Sequence, residues 1–394
     1  MVKVLLLLLL NLQGEPGQIF TYGFGARAFG MGGAYSAQYK DLNSMYYNPA
    51  NIALLDQNTF SIGYTDLGED LSLIYASVGR ISHKGISYGF HSIYFNTPGF
   101  EGRDENNRPQ GEYDFLEIAG GGIIGKKIME HLYAGLSLKL YYGRIRSYTA
   151  SGFGADIGIT STFIPGFATS LVLRNIIPMS IRYYKEKEKA PLGLRMGISA
   201  SPIPEFNLSV DLDYSSYSGF KGFFGGEGRL LNMLYLRGGY DGSYISAGIG
   251  IEKPLGDKNI KIDYTYSMSL SQLVFQDIHH VTLTYSYGGF RVYAEVDRKY
   301  LDISESGGLA WILIHAKTRG DVKSWKLLIL TKDGEKVKEF GGRGTPPLRI
   351  AWDGRDETGR IVVEGKYYYE LVVEDEDGNF YTKKGKLVKV RVAL

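Results

Sequence analysis

Cysteine is absent from the 394-residue chain, which excludes a disulfide framework and any thiolate metal centre. A surplus of one charge is lacking too. The 44 Lys and Arg stand against 42 Asp and Glu, and a net +2 gives no electrostatic case for a nucleic-acid partner. Tryptophan occurs only three times. Long apolar runs are missing: Val4–Leu10 falls far below the ~20 residues that a membrane-spanning helix needs. Helical stretches are also missing between residues 59 and 288, where the apolar residues do not recur at 3.6.

Glycine and tyrosine are abundant. The 52 glycines make up about 13% of the chain, roughly double the usual ~7%. They suit tight turns, strand bends and crowded barrel interiors. The 31 tyrosines suit a boundary where one end of the ring is apolar and the other wet. At the N-terminus Lys3 precedes the apolar run Val4–Leu10, the pattern of a secretory signal. It is expected over residues 1–14, with cleavage near Gly14.

From Thr59 to Gly288 the chain reads as strand after strand. In Phe206-Asn-Leu-Ser-Val-Asp-Leu-Asp-Tyr214 the apolar residues take every second place. Period-2 alternation puts the apolar and polar sets on opposite faces of a sheet. Ile260-Lys-Ile-Asp-Tyr-Thr-Tyr266 does the same. Fourteen strands are expected, at 59–66, 70–81, 85–95, 112–127, 130–147, 151–163, 166–176, 191–202, 205–217, 222–231, 234–241, 244–253, 259–269 and 278–288. Most are long enough for a tilted bilayer crossing of about 9–11 residues. Their even number predicts an all-β fold, a 14-stranded antiparallel transmembrane barrel over residues 59–289. Connection lengths give it a direction. Asn96–Gly111, Ile177–Ala190 and Leu270–Asp277 are long odd-to-even connections, while Ser82–Lys84, Ile203–Pro204 and Pro254–Lys258 are short even-to-odd ones. Short periplasmic turns and long outer loops would place the N-terminus on the periplasmic side.

Residues 290–394 differ in kind. Asp-Gly pairs at Asp333-Gly334, Asp353-Gly354 and Asp377-Gly378 punctuate short apolar runs, as in hairpins. A second, more charged β-sandwich of about 100 residues is expected, lying in the periplasm.

Charged residues within the alternating strands identify the inner face, because a Lys or Arg on the lipid side costs about 2–4 kcal/mol at the midplane. Lys139, Asp211, Asp213, Lys261 and Asp263 are therefore expected to line the lumen, as a salt-bridged plug or a polar path. No metal site, cofactor or catalytic centre is expected. His279 and His280 are neighbours on a strand and point to opposite faces. An outer-membrane hydrolase would need a Ser/His pair facing lipid, and His91 with Ser87 or Ser92 is only a generic pair in a Ser-rich barrel. Gly30, Gly32 and Gly33 lack the Lys-Ser/Thr ending of a phosphate loop. Their expected role is to let the backbone pack closely within the barrel.

Two stretches carry a family likeness. Gly25-Ala-Arg-Ala-Phe-Gly-Met-Gly-Gly-Ala-Tyr35, followed by Asn43-Ser-Met-Tyr-Tyr-Asn-Pro-Ala50, resembles the N-terminal signature of the PorV/FadL-like outer-membrane barrels. The family often continues with Gly, where this chain has Asn51. The stretch from Ser324 through Trp352-Asp-Gly-Arg-Asp-Glu-Thr-Gly359 to Gly365-Lys-Tyr-Tyr-Tyr369 resembles the FlgD-like immunoglobulin-like domain. The first resemblance implies that residues 15–58 form a hatch inside the barrel, with Asn48, Pro49 and Ala50 shaping it. It also implies a bacterial outer-membrane location and no enzyme activity. The protein would bind outer-membrane lipid and pass or hold hydrophobic small molecules. The alternative is a PorV-like secretion scaffold whose periplasmic domain docks a periplasmic or secreted protein.

Overall fold

The computed structural model describes residues 17–68, 71–81, 86–103, 106–164, 166–183, 187–203, 205–231, 233–255, 258–270, 276–303, 308–318, 320–376 and 380–392. The expected signal over residues 1–14 lies outside them. The chain divides into two compact units between Gly288 and Gly289.

The first unit is a closed antiparallel barrel of fourteen strands. They are β1 Asn58–Gly68, β2 Leu71–Arg80, β3 Ile86–Arg103, β4 Pro109–Met129, β5 Leu132–Ile145, β6 Tyr148–Ile164 and β7 Phe167–Ile177. There follow β8 Gly193–Ile203, β9 Phe206–Ser215, β10 Gly219–Leu230, β11 Leu234–Tyr240, β12 Tyr244–Leu255, β13 Lys258–Ser269 and β14 Ile278–Tyr287. Each strand pairs with its sequence neighbours, and β1 closes the ring on β14 from Asn58↔Tyr287 to Asp66↔His279.

Alternation decides which side faces out. Leu208, Val210 and Leu212 on β9 are 48%, 45% and 41% exposed, whereas Ser209 and Asp211 are 3% and 1% exposed. The same reversal recurs on β1, where Phe60, Ile62 and Tyr64 point outward and Thr59, Ser61 and Thr65 inward. A closed ring with an apolar outside and a polar inside is the arrangement that lipid requires, since no sheet edge is left unpaired.

The connections differ from expectation in two places. Asn96–Gly111, expected as a solvated loop, is largely strand: β3 runs on to Arg103 and β4 begins at Pro109. The hairpin extends the ladder as far as Arg103↔Pro109. In the connection from Ile177 to Ala190, expected as a long outer loop, Lys187, Glu188 and Lys189 are exposed but the ends fold back. Its short ribbon pairs Ser180 with Lys189, and Met179, Ile181 and Ala190 are buried.

Residues 17–57 contain only short helical turns, including Ala26–Gly30, Ser44–Tyr47 and Pro49–Leu54. Asp41 shapes one of them, its carboxylate accepting from the Asn43 amide at 2.8 Å. This segment touches strands on all sides of the ring. The Ala26 amide donates to Thr282 on β14, the Ser36 amide to Asp211 on β9, and the Asn48 side chain to Thr160 on β6. It therefore lies inside the barrel. Phe24, Ala26, Ala34, Tyr35, Ala50 and Ile52 are wholly inaccessible.

The second unit holds a three-stranded and a five-stranded sheet. Its strands are β15 Arg291–Val296, β16 Tyr300–Ile303, β17 Ala310–Lys317, β18 Val322–Leu330, β19 Lys336–Arg343, β20 Arg349–Trp352, β21 Gly365–Asp375 and β22 Phe380–Val392. The sheet orders are β15-β17-β20 and β16-β22-β21-β18-β19. One apolar cluster, containing Ile312, Leu327, Trp352, Leu371 and Val390, joins residues of both sheets. Trp352 is fully buried and its indole donates to the Arg355 carbonyl at 3.0 Å. This is the short-strand, face-to-face pattern of a β-sandwich.

Candidate functional site

The interior of the barrel is moulded to the N-terminal segment. A β-carbon on Gly135 would strike Pro49 and Ala50, and one on Gly158 would strike Asn48. A β-carbon on Gly125 would meet Ile52, and one on Gly79 would meet Leu42 and Leu55. Leu42, Met45, Ile52 and Leu55 pack with Ile123 into a separate apolar cluster. These contacts lie toward the rim of short connections.

Asn48, Pro49 and Ala50 are buried in this segment, and Asn48 supplies its polar contacts. The Asn48 amide donates to the Ser36 carbonyl at 3.1 Å, the Ile159 carbonyl at 3.2 Å and Thr160 Oγ1 at 2.8 Å. Its oxygen accepts from the Ala50 amide at 3.0 Å. Asn51 donates to the Ser36 and Gln38 carbonyls. An irregular segment inside a barrel needs such partners, because its own backbone groups make few bonds to one another.

The five charged strand residues singled out from sequence all point inward, each beside an opposite charge. Lys139 Nζ lies 2.7 Å from Asp156, and Asp211 accepts from Arg195 at 2.7 Å. Asp213 pairs with Arg174 at 2.6 Å. Asp263 lies 2.9 Å from Arg237 and 3.9 Å from Lys261. Asp211 also accepts the Tyr35 and Ser36 amides, which ties the segment to the wall.

Sequence reasoning missed the residue that connects these charges to the segment. Arg27 holds Glu227 in a two-pronged contact at 2.8 and 2.6 Å, and donates to Asp41 at 3.1 Å. Glu227 accepts in turn from Arg237 at 2.5 Å. The usable signal was an arginine alone in a run of small and apolar residues, Gly25-Ala-Arg-Ala-Phe29.

Toward the rim of long connections the segment leaves a cavity of about 460 Å³. Phe20, Tyr22, Phe29, Tyr47, Phe223 and His280 line it, together with Gly32 and Gly33. Phe29 stacks on His280 with ring centroids 3.7 Å apart. The Arg195 guanidinium lies 4.4 Å from the Phe223 ring centroid, and Arg174 and Asp213 complete one wall. Ser218, Gly219, Asp241 and Gly242 mark the rim end of the cavity, because they sit in or beside odd-to-even connections. Of the singled-out residues, Gly32, Gly33 and Asp213 reach this cavity. Gly30, Asn48, Pro49 and Ala50 support it from below, and Lys139 lines a neighbouring void of about 30 Å³, room for little more than one water. Gly30 packs against Thr265 and Arg237.

His91, considered above as half of a lipid-facing pair, is buried within the barrel against the Phe24 and Tyr46 rings. It does not face lipid. His279 is exposed, and its Nδ1 lies 2.8 Å from the Tyr264 hydroxyl, while His280 is buried inside.

No family model and no curated protein sequence matches the chain. Solved structures do. The TodX deltaS2S3 mutant, a monoaromatic hydrocarbon channel, is similar with a TM-score of 0.51 at 12% identity, over 68% of this chain and 99% of that one. The P. putida toluene transporter TodX gives 0.50 at 12% identity, over 68% and 98%. A Pseudomonas aeruginosa FadL homologue gives 0.49 at 10% identity, over 67% and 98%. At such identities the likeness shows the fold alone, a TodX-like barrel, here of fourteen strands. It lends nothing to PorV or to the FlgD-like domain.

Proposed function

We propose that this chain is a bacterial outer-membrane channel that binds and passes hydrophobic small molecules and is not an enzyme. One observation carries the reading. Inside a FadL/TodX-like barrel, a cavity of about 460 Å³ with aromatic walls opens toward one rim, above a segment packed separately into the lumen. That volume is in the range of small-molecule sites. Residues 15–58 act as the hatch, with Gly30, Gly32 and Gly33 seating it and Asn48, Pro49 and Ala50 shaping its base. The lumen-facing Lys139, Asp211, Asp213, Lys261 and Asp263 stand in paired form along the inner wall, Asp213 at the cavity itself. The rim of long connections faces outward, so the cavity receives molecules from outside the cell.

Residues 290–394 form an immunoglobulin-like domain in the periplasm on this reading. Its two packed sheets support the first part. The chain's exit from the barrel at Tyr287, opposite Asn58 on the short-turn rim, supports the second. The secretion-scaffold alternative has no observation of its own in its favour.

Uptake into proteoliposomes tests the proposal, with toluene and a long-chain fatty acid as probes. Uptake above that of empty liposomes is expected, and a larger rate after removal of residues 15–50. No uptake from either protein would sink the channel reading.

A further inference from the structure

Strand β22 of the second unit carries Lys383, Lys384, Lys386, Lys389 and Arg391 and no acidic residue. Residues 290–394 hold 20 Lys and Arg and 17 Asp and Glu, so outside this strand the acids outnumber the remaining 15 cations. The unit's net positive charge therefore comes from this strand.

Register places most of that charge on one face. Tyr368 lies opposite Lys386, Glu370 opposite Lys384, and Lys366 opposite Lys389. On the other side of β22, Tyr300 lies opposite Lys389 and Asp302 opposite Arg391. Leu371, Val373, Leu387, Val388 and Val390 belong to the core. Lys366, Lys384, Lys386, Lys389 and Arg391 therefore share the outer face of the sheet with Tyr300 and Tyr368, alongside the acids Asp302, Glu370 and Glu374, of which Glu374 is held by Lys323 at 2.6 Å. Among the described residues, Lys384 is the one of these five cations in an ion pair, with Glu370 at 3.2 Å. Arg391 lies 3.8 Å from the Tyr300 ring centroid. Cations interleaved with tyrosines are what a phospholipid headgroup layer attracts: the charges meet phosphate, and the rings tolerate the half-wet boundary.

The covalent tether adds a second argument. Only residues 288–290 join β14 to β15, a span of at most about 14 Å. With β14 in the bilayer, the sandwich works within reach of the headgroups. We infer that the β21–β22 face docks on the anionic phospholipid surface of the membrane that holds the barrel. This rests on reading the barrel as a membrane protein and is independent of what passes through it.

The absence of cysteine makes the test clean. Thr382→Cys, on the same face, gives a single site for a fluorescent label. The full-length labelled protein is placed in nanodiscs of phosphatidylcholine alone or mixed with phosphatidylglycerol, and quenching by the neutral quencher acrylamide is measured. Quenching at least two-fold weaker in the anionic discs is expected. It should return to the phosphatidylcholine level in 1 M salt, where the Debye length is about 3 Å. K386Q/K389Q/R391Q should remove the protection, each lost cation weakening surface binding about five-fold. Tryptophan emission, which arises wholly from this unit, shows whether the variant is folded. If it is not, the salt titration of the otherwise unaltered labelled protein carries the test. Equal quenching in the two disc types overturns the inference. Equal protection in both also overturns it, since protein rather than anionic lipid would then cover the face. Failure to enter nanodiscs at all would overturn the membrane reading, and this inference with it.

Discussion

Gly32 and Gly239 meet backbone to backbone inside the barrel. A β-carbon on Gly239 would fall on the Gly32 amide nitrogen and α-carbon, and one on Gly32 would strike the backbones of Tyr240 and Phe224. Gly32 also sits at φ +58°, where a side chain adds about 1–2 kcal/mol of strain. Gly225 repeats the arrangement against Met31. The segment thus rests on a patch of wall without side chains.

Gly239→Ala should therefore lift residues 31–32 off the wall, at a cost of about 1–3 kcal/mol as overpacking. The expected result is faster trypsin cleavage after Arg27 in proteoliposomes and faster uptake of toluene. Gly228→Ala is the control on the same pair of strands, since its β-carbon meets nothing within 4 Å. If both variants behave like the wild type, the close approach does not hold the segment.

Glu227 joins two arginines, one from the segment and one from the wall. Its side chain is 8% exposed and that of Arg27 is 15% exposed, so breaking the pair should cost about 3–5 kcal/mol. Glu227→Gln should harm more than Arg27→Gln, because it weakens the hold on both Arg27 and Arg237. In R27Q, Glu227 keeps Arg237 and Asp41 loses only one partner. Thermal loss of the folded band on unheated gels gives the ranking, and the double variant should fall well short of the sum of the two.

Asn48→Ala removes four hydrogen bonds at the base of the segment. The Ser36 carbonyl keeps its bond from Asn51, so the cost is that of the lost bonds themselves, about 0.5–1.5 kcal/mol each. Asn48→Asp should be at least as harmful, since a carboxylate accepts but cannot donate to the Ser36 and Ile159 carbonyls. Hydrogen exchange of residues 48–54 measures the loosening. Exchange unchanged in both variants would contradict the assignment.

The second unit has its own reporter, because Trp311, Trp325 and Trp352 are the only tryptophans in the chain. Burial works against ionisation of Asp353, yet Lys338 at 3.3 Å and the Arg355 amide at 3.2 Å hold its carboxyl below the ordinary range. A carboxyl lowered on folding adds stability above the unfolded pKa of about 3.9 and loses it as pH falls through the lower, folded value. Denaturant midpoints followed by tryptophan emission should fall as pH drops below about 4. Asp353→Asn should lower the midpoint at pH 7 and flatten that acid limb. A limb unchanged in D353N would assign the acid sensitivity to other carboxylates.

The strand series was legible because lipid enforces it. Phe60, Ile62 and Tyr64 must be apolar and Thr59, Ser61 and Thr65 need not be, so the period shows. The ladder from Asn96 to Arg103 was not legible, because its apolar and polar residues do not alternate. Lys139, Asp211 and Asp263 could be placed inside by the cost of charge in lipid. The pair of Arg27 with Glu227 could not, since the two are 200 residues apart and only the closed ring around the segment brings them together. The cavity was invisible for the same reason: Phe29 and His280 become neighbours through closure alone.

The glycines facing the segment have a consequence for inheritance. Gly79, Gly125, Gly135, Gly158, Gly225 and Gly239 lie on six different strands, yet together they are the negative of one short stretch of chain. Exchanging residues 17–57 for those of another barrel would bring side chains against backbone at sites scattered over more than 150 positions. Segment and wall can drift only together, so in related chains the bulk of residues 31–55 should vary in step with the presence of glycine at these distant strand positions.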